Sequence, residues 1–423
     1  MLDLGAIRDD PDPFRRALAR RSPALADDLD RLLNVDRERR ELVAKVEELR
    51  AEQNRGSKAV GSAAGADRER LIESLRVVSQ RLKELEPRLG QVEEERQRLL
   101  DRIPNPPHDS VPQGETDEDN ELVREVGNPP SFAFPPKDHV DLGEALRVLD
   151  LERASRLSGA RFAYLLGGAV LLQWALVRYC LDRLMPKGFL PVVPPVMVRE
   201  EALYGTGFFP TDEAMIYATR DDDLFLVGTS EVSLAGIHQG ELLDPAVLPL
   251  RYAGYSTCFR REAGAYGKDT RGIFRVHQFD KVEMFSFTEP DASWEEHEFL
   301  LSCEEELISG LGLPYRVMNV CTGELGASAA KKYDIEVWLP GQQRYRELTS
   351  CSNTTDYQAR RLGCRVRYSE RNRPAHTLNG TACAVGRTLI AVLENFQRAE
   401  GSVDVPQALH PYLPEEFRAL SPA

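Results

Sequence analysis

Leu71, Leu75, Val78, Leu82, Leu85, Leu89, Val92, Arg96 and Leu99 recur at alternating spacings of four and three. Sustained over about four heptads, that period draws an apolar stripe along one helix face, which a second helix must cover. A rougher seam precedes it through Leu32, Val35, Arg39, Leu42, Val46 and Leu49. Between the two lies GSKAVGSAAGAD, residues 56–67, small and glycine-rich and suited to a turn. Two seams joined by a turn fold back as an antiparallel hairpin, so a long helical arm is predicted over about residues 26–102, after a short helix at about Pro13–Arg21. Pro87 falls inside the second helix, where it removes a backbone hydrogen bond and predicts a bend. Heptads also serve dimerising coiled coils, but here each helix already has a partner within the chain.

Charge separates this arm from the rest. From Arg31 to Arg102 there are 17 Lys and Arg against 15 Asp and Glu, so the arm stands at +2 and the remainder at −16. The overall balance argues against a generic nucleic-acid binder, and any RNA contact must come from a local basic surface. Exposed arginines on a long arm suit the phosphates of an RNA duplex, and they equally suit a solvated surface of mixed charge. The seven cysteines are odd in number and contain no C-x-x-C pair, as expected of thiols in a reducing compartment. MLDLGAIRDDPDPF lacks the apolar core of a signal peptide. The longest apolar run, Phe162–Val177, is broken by Gln173 and falls short of the ~20 residues that span a bilayer. A cytoplasmic protein without membrane segments is expected, and the sequons at Asn353 and Asn379 are chance matches.

Residues 103–121, rich in proline and then acidic, read as a linker that does not pack. Residues 122–423 read as one α+β domain. A buried helix is expected over Phe162–Leu184, then a strand through GFLPVVPPVMV (188–198), whose prolines place it at an edge or interface. Further strands are expected at Leu224–Val227, Tyr252–Arg260, Ile273–Thr288, Tyr315–Val320, Asp334–Leu339 and Tyr345–Thr349, with helices at Ser293–Gly310 and Gly386–Ala399. Strands that follow one another with few helices between them favour an antiparallel sheet. No phosphate loop, G-x-G-x-x-G or H-E-x-x-H occurs, so a phosphate site must be built from side chains.

The stretch with most chemistry is CFRREAGAYGKDTRGIFRVHQFDKVEMF, residues 258–285. It reads as a strand, a charged loop with Gly264, Gly267 and Gly272, and a second strand bearing Arg275, His277, Lys281 and Glu283. Arg260 and Glu262, two apart, leave the same face of an extended backbone. A guanidinium beside a carboxylate on a sheet face suits a nucleotide, the arginine forking onto phosphate. A solvent-facing hairpin laced with salt bridges fits the same residues.

Four further stretches, separated from the hairpin, bear on that choice. The hairpin resembles motif 2 of class II aminoacyl-tRNA synthetases, in the form found in seryl-tRNA synthetases. HTLNGTACAVGRTLIAVLENFQ (376–397) resembles motif 3, and Gly188–Pro195 resembles motif 1, the dimer-forming segment that closes on a proline. VGTSEVSLAG (227–236) and ELTSCSNTTDYQARR (347–361) are similar to the family's serine-binding and ATP-binding stretches, and the arm to its N-terminal domain. The resemblance spans essentially the whole chain.

It implies an antiparallel class II catalytic domain at 122–423, a tRNA-binding arm at 1–102, and a homodimer that acts on L-serine, ATP, Mg2+ and the serine tRNA. Arg260 then bridges the α-phosphate and the serine carboxylate, Glu262 meets the adenine amino group, Phe274 stacks on the ring and Arg387 takes the γ-phosphate. Arg260 and Arg387 are the implied catalytic pair. Glu347 and Ser350 are the implied magnesium ligands, hard oxygens for a hard ion. Thr229, Ser230, Glu231, Glu283, Asn379 and Thr381 form the implied serine pocket with Arg260. Arg261, Val276, Leu348 and Thr349 join the implied ATP contacts. A site that hydrogen-bonds the serine hydroxyl rejects alanine because buried polar groups are left unpaired. The Gly264–Gly272 loop is expected to be mobile and to meet the tRNA acceptor end.

Two departures stand out. Thr381-Ala382-Cys383 replaces the Ser-Gly common in bacterial members, and Pro87 is unusual in the arm. The first fits a harmless variant, or a specialised second copy tolerating a serine-analogue inhibitor. An amino-acid activator that loads a carrier protein is a further alternative, although such relatives lack the arm.

Overall fold

The computed structural model describes residues 1–264, 267 and 269–422. It divides into two compact units, Leu2–Pro104 and Asn105–Ala423 together with Met1.

The first unit is helical: α1 (Leu4–Asp9), α2 (Pro11–Arg21), α3 (Pro23–Ser62) and α4 (Gly65–Arg102). The Asp3 carboxylate accepts from the N–H groups of Gly5 and Ala6 and opens α1. Both α2 and α3 open on a proline, whose missing N–H is no loss at that position. The expected hairpin forms, with Val46, Val78 and Leu82 in its core and Leu49, Leu85 and Leu89 against it. The predicted turn at residues 56–67 is mostly helix instead, and the reversal takes only Ala63 and Ala64. Extending an existing helix adds a hydrogen bond per residue, which offsets the ~1 kcal/mol that each glycine costs there. Gly56 also has a packing reason, since a Cβ there would lie 2.6 Å from Leu75 Cδ2. Pro87 sits inside α4 without ending it.

Ion pairs join the two long helices on the root side: Arg31 to Glu95, Arg39 to Glu93, Arg88 to Glu38 and Arg50 to Glu86. Asp36, buried, takes Arg8, Arg40 and Arg96 at 3.0–3.3 Å. Beyond Arg50 and Glu86, no ion pair joins α3 to α4 among the described residues; Gln53 reaches Ser79 at 3.0 Å.

In the second unit the helices are α5 (His139–Ala145), α6 (Leu151–Ser158), α7 (Gly168–Leu184), α8 (Glu200–Thr206), α9 (Glu231–Ala235), α10 (Ser293–Gly310), α11 (Tyr357–Leu362) and α12 (Val385–Asn395). Its main sheet has eight strands, here β1 (Glu121–Val126), β2 (Phe189–Val192), β3 (Leu250–Phe259), β4 (Gln278–Thr288), β5 (Tyr315–Asn319), β6 (Lys331–Leu339), β7 (Arg344–Asn353) and β8 (His376–Ala384). Their spatial order is β1-β5-β6-β7-β8-β4-β3-β2. Every neighbouring pair is antiparallel except β2 with β3. The expected antiparallel α+β domain is therefore present, and the proline-bearing strand is its edge.

Strand β4 is buried on both faces. Val282 and Met284 pack into the large core with Leu172, Leu300 and Leu389 from α7, α10 and α12. Phe285 and Phe287 pack on the other side with Leu234 of α9 and Ala359 of α11. Lys281 and Glu283 share that second face by the period of two and lie at its open end.

Three expectations are corrected. Strand character expected from Ile273 begins only at Gln278. The helix expected from Phe162 begins at Gly168. The linker is a strap from Asn105 onward: Asn105 donates to Ala327, Ser328, Thr354 and Thr355, and His108 N–H to Ala330. Thr116 and Asp119 close a reciprocal cap in its acidic run, and Glu121–Val126 becomes β1. Backbone groups buried under a loop need partners, and the loop after β5 supplies them. No helix among the described residues is long and apolar enough to cross a membrane.

Candidate functional site

A cavity of about 260 Å³ opens on the face of the sheet that carries Lys281. Seven segments wall it: Phe208 beyond α8, the start of α9, the loop that follows β3, β4, β6, β7, and β8 running into α12.

Two β-bulges set its floor. Along β7, Ile335 pairs with Thr349 and Glu336 with Glu347, leaving Leu348 as an extra residue. The extra residue shifts the pleat by one, so Glu347 and Ser350, three apart, both reach the cavity. Along β8, Val282 pairs with Cys383 and Glu283 with Thr381, leaving Ala382 as the extra residue. Asn379, Thr381 and Ala384 consequently line the same wall.

Arg260 follows the end of β3. Its Nε donates to the Gly228 carbonyl at 3.0 Å, and its guanidinium lies over Phe279. Glu262 also lines the cavity, but not by the extended alternation expected. Its backbone turns into the left-handed region at φ 50°, and its carboxylate accepts from Arg275 at 2.8 Å. Phe274 carries two guanidinium groups, Arg346 at 3.9 Å and Arg387 at 4.5 Å from the ring centre. Arg387, in the first turn of α12, also donates to the Glu347 carbonyl at 3.0 Å and pairs with its carboxylate at 3.3 Å. Burial works to raise the Glu347 carboxyl, yet Arg387 and Lys332 hold it well below the usual range, so it stays charged.

At the other end the polar groups form one network. Lys281 Nζ pairs with Glu283 and donates to Thr229 Oγ1 at 2.7 Å. The Thr229 hydroxyl accepts there and from the Glu231 N–H, and donates to Glu283 at 3.4 Å. Asn379 donates to the other Glu283 oxygen at 3.2 Å. Glu283 is 0% exposed and lies behind Lys281, not on the cavity surface. Glu231 does line the cavity. Burial, with Glu283 nearby, pushes its carboxyl up to about 7.

Two expected contacts lie elsewhere. Ser230 points away from the cavity, its hydroxyl donating to the Gly254 carbonyl. Arg261 is exposed and reaches Tyr217. Val276, Leu348 and Thr349 line the cavity with the rest, and Thr349 donates backwards to buried Glu304. The expected mobile loop over Gly264–Gly272 falls in part on residues 265, 266 and 268, which lie outside the described residues. Its near flank is anchored, with Asp269 taking both Arg346 nitrogens and Arg271 pairing with Asp138 and Asp141.

Sequence reasoning gave no role to Lys281, Arg275, Lys332, Phe208 or Phe279, all of which line the cavity. The signal for Lys281 was available, since it sits two before Glu283 on one strand face. Lys332 had none, being brought in by β6 from an unremarkable run.

An antiparallel sheet whose open face gathers arginines, with bulged strands and no phosphate loop, defines the class II aminoacyl-tRNA synthetase core. Residues 215–396 match the model of the tRNA synthetase class II core domain (G, H, P, S and T), and residues 1–107 that of the seryl-tRNA synthetase N-terminal domain. The serine–tRNA ligase of Acidothermus cellulolyticus is 48% identical over 415 residues, 98% of each chain. The crystal structure of seryl-tRNA synthetase from Pyrococcus horikoshii complexed with ATP superposes with a TM-score of 0.93 at 42% identity, covering 100% of both chains. The cytoplasmic serine–tRNA ligase of Naegleria fowleri in complex with AMP gives 0.84 at 35% identity, covering 95% of this chain and 94% of that one. The chain belongs to the seryl-tRNA synthetase family.

Proposed function

We propose that this chain is an ATP-dependent serine–tRNA ligase, which makes seryl-adenylate and transfers serine to the 3′ end of its tRNA. The observation that carries the reading is one cavity with two chemically distinct ends. Arg260, Arg275, Lys332 and Arg387 crowd one end with cationic groups suited to a triphosphate. Thr229, Glu231, Asn379 and Thr381 furnish the other with acceptors and hydroxyls suited to an ammonium and a small alcohol.

Serine's carboxylate attacks the α-phosphorus, and pyrophosphate leaves. An α-carboxyl group with a pKa of about 3.5 is already ionised, so no general base is required. Arg260 stands between the two ends and stabilises the charge that moves from carboxylate to phosphate. Glu231 and the Thr229 network receive the ammonium, and Thr381 and Asn379 lie near the hydroxyl. Phe274 offers a face to adenine and Glu262 an acceptor to its amino group.

Glu347 and Ser350 fit a magnesium ion, as a charged carboxylate and a hydroxyl on one strand face. No cluster of three His, Cys, Asp or Glu that could hold a metal ion occurs among the described residues, so Glu347 and Ser350 would hold the ion only together with its phosphate substrate. The ion, when bound, neutralises charge on the β- and γ-phosphates.

The arm takes the tRNA and the catalytic unit works as a homodimer in the cytoplasm. The apolar edge beside β2, with Leu190 59% and Val193 82% exposed, supports dimerisation there. The carrier-protein alternative has no support in relatives that match arm and core together.

Pyrophosphate exchange with serine, threonine, alanine and cysteine, followed by charging of bulk tRNA, tests the reading. Serine is expected to support both reactions at least a hundredfold better than the others. A preference for any other amino acid overturns it.

A further inference from the structure

Gln358 lies on α11, in the stretch similar to the family's ATP-binding segment, yet it does not line the cavity. It is 0% exposed and its amide has four polar neighbours. Nε2 donates to Glu231 Oε1 at 2.8 Å and to the Thr206 carbonyl at 3.2 Å. Oε1 accepts from the Thr377 hydroxyl at 2.9 Å, and the Thr354 hydroxyl lies 3.4 Å from it. Those hydroxyls are 2.6 Å apart, and Thr354 also donates to the Thr377 carbonyl at 2.8 Å.

This pattern leaves the amide one orientation. The Thr206 carbonyl can only accept, so the nitrogen must face it, and the nitrogen's second hydrogen then falls on Glu231. Three segments distant in sequence (the end of α8, the Thr354 turn and β8) thus hold one donor against one carboxylate. Glu231 has no cation within ion-pair distance among the described residues. Lys281 is committed to Glu283 and Thr229, and Arg260 to the Gly228 carbonyl. The groups facing the carboxylate are therefore Glu283, Lys281, Arg260 and the Gln358 amide.

We infer that Gln358 is a positioning residue for serine recognition, which fixes the Glu231 carboxylate toward the cavity to meet the substrate ammonium. The inference rests on the serine-pocket reading above. A hydrogen bond to a charged acceptor is among the stronger ones, and losing it where water does not enter favours the neutral acid.

The test is Gln358→Met, which keeps the volume and removes the amide, alongside Gln358→Glu, each assayed by serine-dependent pyrophosphate exchange from pH 6 to 9. For Gln358→Met the KM for serine is expected to rise about 10- to 100-fold, the KM for ATP to stay within about twofold, and the serine profile to move to higher pH. Gln358→Glu sets a second carboxyl against Glu231 and the Thr206 carbonyl, so its defect should exceed that of Gln358→Met at pH 8 and shrink toward pH 6. Thermal unfolding is followed in parallel. An unchanged serine KM and profile overturns the inference, as does an equal rise for serine and ATP that tracks lost stability. Absence of serine-dependent exchange in the unmodified chain overturns the pocket reading itself, and with it this inference.

Discussion

The Arg387 guanidinium rests 4.5 Å from the centre of the Phe274 ring while its Nη1 reaches Glu347. On the proposed mechanism, a base stacked on that face of Phe274 displaces Arg387 from it and leaves the arginine for phosphate. Phe274→Ala removes the platform. Stacking of a base on an aromatic ring is worth about 1–3 kcal/mol by alanine substitution. The KM for ATP in pyrophosphate exchange should rise roughly 10- to 100-fold, with the KM for serine nearly unchanged.

The proposed mechanism sets Arg260 against charge that develops during the reaction. Arg260→Ala should lower the exchange rate by about 10² to 10³, the usual cost of one preorganised donor at a transition state. Arg260→Lys should recover little of it, because an ammonium cannot hold the Gly228 carbonyl and fork onto two anions together. An unchanged rate in the alanine variant would show that the charge is stabilised elsewhere.

Glu231 gives a pH dependence of defined sign. Its carboxyl is raised to about 7 by burial and Glu283, above the value of the unfolded chain. The folded state therefore holds the proton more tightly, and this group's contribution to stability is full below the unfolded value and lost as pH rises through about 7. Glu231→Gln should stabilise the ligand-free protein at pH 8 by about 1–3 kcal/mol and change little at pH 4, as read by denaturant unfolding. The same variant should lose serine-dependent exchange at every pH. In the unmodified chain the KM for serine should fall as pH rises from 6 to 8.

Along the arm, cross-helix ion pairs stop at Arg50 and Glu86 among the described residues. Distal to them Arg55, Lys58, Arg68, Arg70, Arg76, Arg81 and Lys83 outnumber Glu52, Asp67, Glu69, Glu73 and Glu84. Replacing Arg55, Lys58, Arg68 and Arg81 together by glutamine should raise the KM for tRNA and flatten its salt dependence, by about 0.7–0.9 in slope for each phosphate no longer neutralised. Serine-dependent exchange should be untouched. Deleting Asn34–Asp101 should abolish charging while sparing exchange; equal loss of both would remove the arm from the tRNA-binding role.

Legibility followed the range of the interactions. The arm was legible because a heptad seam is a local, repeated statement about one helix face. Helix α10 was read at its full span, Ser293–Gly310. The strap at 103–120 was not legible, because prolines and acidic residues advertise exposure, whereas its partners Ala327, Ser328 and Thr354 lie over two hundred positions away. Arg260 and Glu262 reached the cavity, but the extended alternation that put them on one face gives way to a left-handed turn at Glu262.

What residue order alone determined was the arm, the antiparallel domain, and the separated stretches that carry the expected site residues, because each is written in local period or contiguous motif. Tertiary structure decided which of those residues share a wall. The extra residue Leu348 reverses the pleat and brings Glu347 and Ser350 onto the cavity together, and Ala382 does the same for Ala384 beside Asn379 and Thr381. Lys281 covers Glu283, and Gln358 is enlisted from α11 to hold Glu231. Register and burial depend on neighbours across the sheet, and a strand's own sequence does not contain its neighbours.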